Sequence, residues 1–260
     1  MSLYIVKPGL LDTIQDMGRY GYGSFGINPG GAMDRYAAQV ANALVGNEFN
    51  EGVIECHFPA AQILFEKDVL ISITGAHFHP MLNDEILPIW KPILVRKNTV
   101  LHFKKISSGA RCYIAINGGF EMDRWLNSCS TNIIAGAGGW FGRKLKAGDR
   151  VSYKNNFDHF TIKEGQIFLS FPWQANIKNV YGSKTLYYIK GNEWDLLELS
   201  SKQLFSNRHF KIDPSSDKMG YNLKSETLQM KQKIEMISSP VSFGTIQLLP
   251  NGQLIILMAD

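Results

Sequence analysis

Short apolar runs, each cut off by Gly, Pro, Asn or Asp, recur along the chain. They occupy residues 3–6, 61–65, 69–74, 93–95, 100–103, 112–116, 166–169, 186–189, 210–212, 245–249 and 254–258. Ile, Val, Leu, Phe and Tyr dominate them, and such runs between turn formers predict strands. Lys97-Asn98 reads as a turn, and Pro250-Asn251-Gly252 as an Asn-Gly hairpin between two strands. One helix is predicted clearly, over residues 34–45, where Ala37, Val40, Ala41 and Leu44 share a face and Gly46 supplies the stop. A further turn or two of helix is expected within residues 196–205. The fold class is therefore mainly β, with closed or barrel-like sheets. At residues 151–162 a glycine-dense first half gives way to polar, lysine-bearing sequence. That shift sets the expected boundary near Val151, between a β-rich domain over residues 1–150 and a second over residues 151–260.

Composition narrows the class. The chain has 260 residues, 45% hydrophobic and only 19% charged, enough to bury a substantial core. Its net charge of +4 comes from 27 basic and 23 acidic side chains that are interspersed. Without a concentrated basic stripe, nucleic acid is not an expected partner. Three cysteines without CxxC spacing argue against a disulfide framework and suit a reducing cytoplasm, and Cys56 and Cys112 read as buried, inert thiols. No leader pattern opens the chain and no apolar run is long enough to span a bilayer, so a cytoplasmic protein without a membrane partner is expected.

Candidate chemistry lies in glycine-rich loops. Residues 18–47 carry Arg19 and run through Asn28-Pro29-Gly30-Gly31 into the helix that opens near Asp34. Glycines let main-chain N–H groups approach a ligand, and a helix start adds partial positive charge, so this loop suits an anionic or carbonyl group. A second cluster spans residues 134–149 (IAGAGGWFGRKLKAGD). It is not a Walker loop, because Leu145 follows Gly142-Arg143-Lys144, and Phe141 breaks a dinucleotide GxGxxG. It reads either as an array of tight turns or as a nest of N–H groups that, with Arg143, holds an oxyanion. Asn117-Gly118-Gly119 closes a strand and reads as a bulge, a plain turn or a ligand approach. Ser128 and Ser130 have no neighbouring base, which weakens a serine nucleophile. His77 and His79 share a strand face but lack a partner motif, so no metal is expected. Of the loop carboxylates Asp12, Asp16, Asp34, Glu55 and Asp217, Asp34 reads as a helix-dipole partner or a base, and Asp217 lies in a turn that projects an acid.

These loops also carry a family resemblance. Residues 12–19 (DTIQDMGR), 30–34 (GGAMD), Ala41-Asn42 and Val45-Gly46-Asn47 resemble the opening of the carboxyltransferase-domain family called allophanate hydrolase subunit 2. That family includes 5-oxoprolinase subunits and antagonists of a kinase inhibitor, and it is similar to one part of urea carboxylase. The likeness continues through residues 73–76, 109–120 and 128–131, the glycines of 138–149, residues 217–223 (DKMGYNL) and Gly244-Thr245-Ile246-Gln247. It is weakest around residues 152–183.

The resemblance implies a cyclophilin-like β-barrel in the second half. Family members continue beyond the equivalent of Asp260, so the barrel is expected to be incomplete. It further implies one component, inactive alone, of a hydrolase that uses ATP, held here or on another component, to open the lactam 5-oxoproline to glutamate. Its partners would be the kinase-inhibitor-like B component and the A component of the same complex. Arg19, Gly30, Gly31, Asn42, Gly118, Gly119, Arg143 and Gln247 would then bind substrate, with Asp34 and Asp217 as catalytic candidates. Lys218 and Asn222 stand where the family's DRMGYRL-like motif has arginines, which exchanges one planar fork for a point charge and removes the other charge. Two alternatives are a biotin-dependent carboxyltransferase of the urea carboxylase kind and a non-catalytic regulator that binds a kinase-inhibitor protein.

Overall fold

The computed structural model describes residues 1–154, 160–232 and 241–259, in two compact units, residues 1–176 and 177–260. The first unit contains β1 (Ser2–Lys7), β2 (Thr13–Gln15), α1 (Arg35–Leu44), β3 (Val53–Cys56), β4 (Gln62–Phe65), β5 (Val69–His77), β6 (Pro80–Leu82), β7 (Glu85–Ile86), β8 (Pro92–Val95), β9 (Thr99–Phe103), β10 (Ser108–Ile116), β11 (Arg150–Ser152) and β12 (Phe168–Ser170). They form two six-stranded antiparallel sheets, ordered β11-β1-β4-β9-β6-β7 and β12-β8-β5-β10-β3-β2. Leu3, Ile5, Ile63, Phe65 and Leu101 of the first sheet share one buried core with Ile14, Ile54, Ile71, Ile73, Ile93 and Ile114 of the second. The compact units part after Asn176, whereas the composition shift falls near Val151. The reason is pairing: β11 runs in register with β1 (Leu3 opposite Val151), and β12 with β8 (Leu169 opposite Leu94).

β5 shows how sequence alternation places the helix. Ile71 and Ile73 enter the core, while the intervening Ser72 and Thr74 are equally buried on the other face. There Ser72 Oγ donates to the Ala41 carbonyl (2.6 Å) and Thr74 Oγ1 to the Ala37 carbonyl (2.8 Å). A strand whose polar positions all face a helix shows no apolar/polar alternation in burial, only in chemistry. α1 follows its predicted period only in part: Ala37 and Ala41 are buried as expected, together with Ala38 and Asn42, whereas Val40 and Leu44 are half-buried, and Asp34 caps the first turn by accepting from the Ala37 N–H (2.9 Å).

Asp12, beside the start of β2, is a second fastening. Its buried carboxylate accepts from the N–H groups of Ala61 (2.6 Å) and His57 (3.2 Å), and its carbonyl accepts from the Leu145 N–H (2.9 Å). Burial pushes its carboxyl up to about 6, against the opposing pull of those bonds and of Lys144.

The second unit contains α2 (Lys178–Tyr181), α3 (Leu199–Asn207), β13 (Lys211–Ile212), β14 (Gly220–Lys224), β15 (Ile246–Leu248) and β16 (Leu254–Leu257). Its antiparallel sheet is ordered β13-β14-β16-β15, and no closed barrel forms among the described residues. The predicted hairpin at residues 250–252 does join β15 to β16. The apolar run 186–189 is not a strand: Leu186, Tyr187 and Ile189 are more than nine-tenths exposed, and Tyr188 instead packs its ring against Trp194 and Phe205. A strand needs a ladder partner, and none of the described residues supplies one. Among the described residues no helix is long and apolar enough to cross a membrane.

Thr74→Val keeps shape but removes one buried hydrogen bond, and is expected to lower the free energy of unfolding in urea by about 1 kcal/mol. Because the folded Asp12 carboxyl (about 6) lies above its ordinary 3.8, its contribution favours folding at low pH and is lost as pH rises through 6, by about 3 kcal/mol in all. Unfolding measured between pH 4 and 7 for wild type and Asp12→Asn is expected to show that downward slope only in the wild type's difference from the variant.

Candidate active site

The loop of residues 17–31 is fastened at both ends. At the first, Asp16 has no exposed surface. Its Oδ1 accepts from the hydroxyls of Ser128 and Ser130 (2.6 Å each) and the Gly18 N–H (2.7 Å), and its Oδ2 from the Cys129 N–H (2.7 Å). Its own N–H donates to Ser130 Oγ (2.9 Å), and its carbonyl accepts from the Ala32 N–H (2.8 Å). Arg124 stands outside this set, half in solvent, 3.7 Å from Asp16 and 3.5 Å from Glu51.

Arg19 follows, also buried. Its guanidinium lies over the Trp125 ring, 4.6 Å from the centroid, and donates to the Ser130 carbonyl. Here two pieces of main chain touch. A Cβ on Gly18 would come 2.7 Å from the carbonyl oxygens of Pro29 and Gly30, and one on Gly31 2.9 Å from the Gly18 nitrogen. Gly30 and Gly31 are also left-handed (φ 61° and 100°), a conformation that favours glycine at both positions.

At the far end, Glu55 Oε2 accepts from the Met33 N–H (2.8 Å) and the Tyr113 hydroxyl (2.9 Å). That hydroxyl accepts from the Asp34 N–H (2.8 Å). Burial, then the Glu55 charge, hold the Tyr113 phenol well above its ordinary pKa, so it remains a donor. Between these fastenings the buried N–H groups of Gly30 and Gly31 donate no hydrogen bond among the described residues. Two successive main-chain donors, in a segment whose Pro29 carbonyl takes the Arg19 N–H (2.7 Å), suit an oxyanion or a polarised carbonyl.

The structure thus gathers Arg19, Gly30 and Gly31, with Asp34 three residues further on at the start of α1. It puts Asn42, Gly118 and Gly119 elsewhere, at the C-terminal end of α1. The buried Asn42 amide donates to the Glu51 carbonyl (2.8 Å) and its oxygen accepts from Asn47 (3.0 Å). Asn47 Oδ1 takes the Gly118 N–H (2.8 Å), and the Ile116 carbonyl takes the Gly119 N–H (3.0 Å). Both glycine donors are therefore spent inside the protein. Arg143 is likewise occupied, forking onto both oxygens of Asp149 at 2.8 Å. That bond holds Asp149 below and Arg143 above their ordinary pKa values. Residues 134–149 serve as a turn array, with Gly138 and Gly139 packed directly on Ser130 and Thr131. Asp217 and Gln247 belong to the second unit. Asp217 is exposed and accepts from the N–H groups of Met219 (2.8 Å) and Gly220 (3.3 Å), and Gln247 lies on β15 opposite Ile255.

Local sequence patterning does not reveal the Asp16–Ser128–Ser130 hub or the Glu55–Tyr113 pair. The two serines read as weak nucleophile candidates, while their alternate spacing is what lets both hydroxyls reach one carboxylate. Nothing in the local sequence marks Tyr113, which sits in an apolar strand run. Among the described residues no three His, Cys, Asp or Glu side chains gather to hold a metal ion.

Residues 25–260 match the carboxyltransferase domain, subdomain A and B, and the chain belongs to that family. It is 36% identical over 256 residues to the C subunit of 5-oxoprolinase from Haemophilus influenzae, covering 95% of this chain and 76% of that protein. It is 30% identical over 258 residues to the corresponding C subunit from Escherichia coli, covering 99% and 80%. Urea amidolyase of Saccharomyces cerevisiae is 34% identical over 163 residues, 62% of this chain but 9% of that protein. In fold, the chain is similar to the crystal structures of TTHA0988 (TM-score 0.78, 24% identity) and of K. lactis urea amidolyase (TM-score 0.82, 24% identity). It is covered wholly by the first and to 99% by the second, and spans 49% and 16% of their lengths.

Asp16→Asn removes the charge that four donors share and is expected to lower unfolding free energy by about 2–4 kcal/mol in urea denaturation. Arg124→Gln, which loses two long, half-exposed pairs, is expected to cost less than about 1 kcal/mol.

Proposed function

We propose that this chain is the C-type component of a multi-subunit 5-oxoprolinase, working with A-type and B-type partners in the cytoplasm. The observation that carries this reading is similarity to the C subunits of two 5-oxoprolinases over nearly the whole chain, loops included. The chemistry asked of the site is demanding. A five-membered lactam is an unstrained amide, so its carbonyl must be activated before water can open it. Transfer of the γ-phosphoryl group of ATP to the lactam oxygen releases ADP. Water then adds to the activated carbon, the C–N bond breaks with a proton delivered to nitrogen, and phosphate leaves, giving glutamate. ATP would be held within the assembled complex.

In this chain, the Gly30 and Gly31 N–H groups suit the developing negative charge on the lactam oxygen. Arg19, stacked and buried, is tied by its main-chain N–H to the Pro29 carbonyl just ahead of those donors (2.7 Å) and adds positive charge to the loop. Asp34 is the base candidate from this loop, three residues beyond Gly31 and with one oxygen capping α1. Asp217 and Gln247 are the candidates from the second unit. The overlap with urea amidolyases favours a second reading, carboxyl transfer from a biotin carried by a partner, in which the same donors would face a carboxyl oxygen.

The A-type and B-type partners, assayed with and without this chain, are expected to release ADP in a 5-oxoproline-dependent manner only when it is present. Turnover without the chain would sink the proposal, and biotin-dependent carboxylation would replace it with the second reading. Asp34→Asn preserves a good helix cap, so it is expected to lower kcat at least about 100-fold while leaving unfolding free energy within about 0.5 kcal/mol of wild type.

A further inference from the structure

Four polar side chains stand in one row across the second sheet. Thr13 of β2 lies opposite Glu55 of β3, Glu55 opposite Tyr113 of β10, and Tyr113 opposite Thr74 of β5. Residues opposite one another in a ladder share a face, so the row runs along one side of the sheet. All four are buried, none more than 3% exposed. The Thr74 hydroxyl binds the Ala37 carbonyl, so this is the side that faces α1. A row of apolar residues would seat a helix at lower cost, because every polar atom shut away from water must be given a partner.

The two middle members spend that capacity on the main chain where α1 begins. Glu55 Oε2 accepts from the Met33 N–H and the Tyr113 hydroxyl, and that hydroxyl accepts from the Asp34 N–H. Asp34 is the N-cap of α1. In a capping box the N–H of the cap residue is taken by a Glu or Gln three positions on, which keeps the bond within the helix itself. Here that position is Ala37, which has no such group. The acceptor comes instead from β10, 79 residues along the chain, so the cap residue is fixed to the sheet. Asp34 itself stays half-buried, with Oδ1 on the Ala37 N–H (2.9 Å). Main chain gripped at two successive N–H groups leaves its carboxylate little freedom beyond its own side-chain torsions.

We propose that Glu55 and Tyr113 are positioning residues for Asp34, holding its main chain so that its carboxylate meets the substrate in one orientation. This rests on the reading of the chain as an oxoprolinase component with Asp34 as base. In the complex with A-type and B-type partners, Tyr113→Phe is expected to lower kcat at least about tenfold with KM for 5-oxoproline within about twofold, since a misplaced catalytic group costs rate more than binding. Added to Asp34→Asn, it is expected to cost no more than about twofold beyond Asp34→Asn alone, because nothing is left to position. Losses that multiply, or a Tyr113→Phe kcat within about twofold of wild type, overturn the proposal. Glu55→Gln keeps an acceptor for the Met33 N–H and carries the same cycle if the tyrosine variant does not fold. Hydrogen exchange of the chain alone needs no partner. In Tyr113→Phe the Asp34 N–H is expected to exchange at least about tenfold faster, with the amides of β5 and β10 unchanged. Equal exchange at Asp34 overturns the positioning, whereas a wild-type complex that releases no ADP in response to 5-oxoproline overturns the reading on which it rests.

Discussion

A carboxylate shut away from water must be met by donors, and nearly everything about the first unit's loops follows from how Asp16 meets that demand. Its partners are Gly18 next door and Ser128, Cys129 and Ser130 from more than a hundred residues away. The charge therefore acts as a clamp between two loops that have no sheet to hold them. Arg19 extends the clamp by stacking on Trp125 and binding the Ser130 carbonyl, which makes an arginine part of the wall. Glu55 and Tyr113 do the same for the far end of the loop. What is left between the clamps is a short piece of glycine backbone with its donors unspent. Rigid support around open donors is the arrangement that electrostatic preorganisation requires.

The same logic separates residues that bind from residues that brace. Arg143, Asn42, Gly118 and Gly119 carry chemistry suited to a ligand, but each has its hydrogen-bonding capacity absorbed within the protein. Arg143 is used by Asp149, and the glycine donors by Asn47 and Ile116. A donor satisfied at 2.8 Å would have to break that bond before serving a substrate, at a cost comparable to what the new bond returns.

Local patterns in the sequence carried the strands, the helix and the glycine loop. β5, β9, β10 and β16 follow their apolar runs, and α1 follows its predicted span and Asp34 cap, although its buried face turns toward Ala38 and Asn42 and away from Val40 and Leu44. What local patterning did not carry depends on distant partners. Residues 186–189 have strand composition yet no strand beside them, and β2 and β3, three and four residues long, form because they pair with one another and with β10. In the candidate site, Gly30, Gly31 and Asp34 were legible because backbone demands leave a mark on residue type. Asp16, Ser128 and Tyr113 were not, since a side-chain hydrogen bond across the fold leaves no periodic trace.

The long reach of the Asp16 clamp has a consequence for how the protein is made. A chain emerging from the ribosome holds Asp16, Arg19 and both loop glycines early, but cannot close them until Ser128 and Ser130 have followed. Closing so large a loop carries an entropic cost, and the residues that close it follow β10, which lies between β3 and β5 in the finished sheet. The sheets can therefore assemble while the loop is still open, exposing an arginine and a carboxylate that the finished protein buries. Such an intermediate would have a formed core and no site, and its lifetime is the interval during which a chaperone or an incoming partner could meet it.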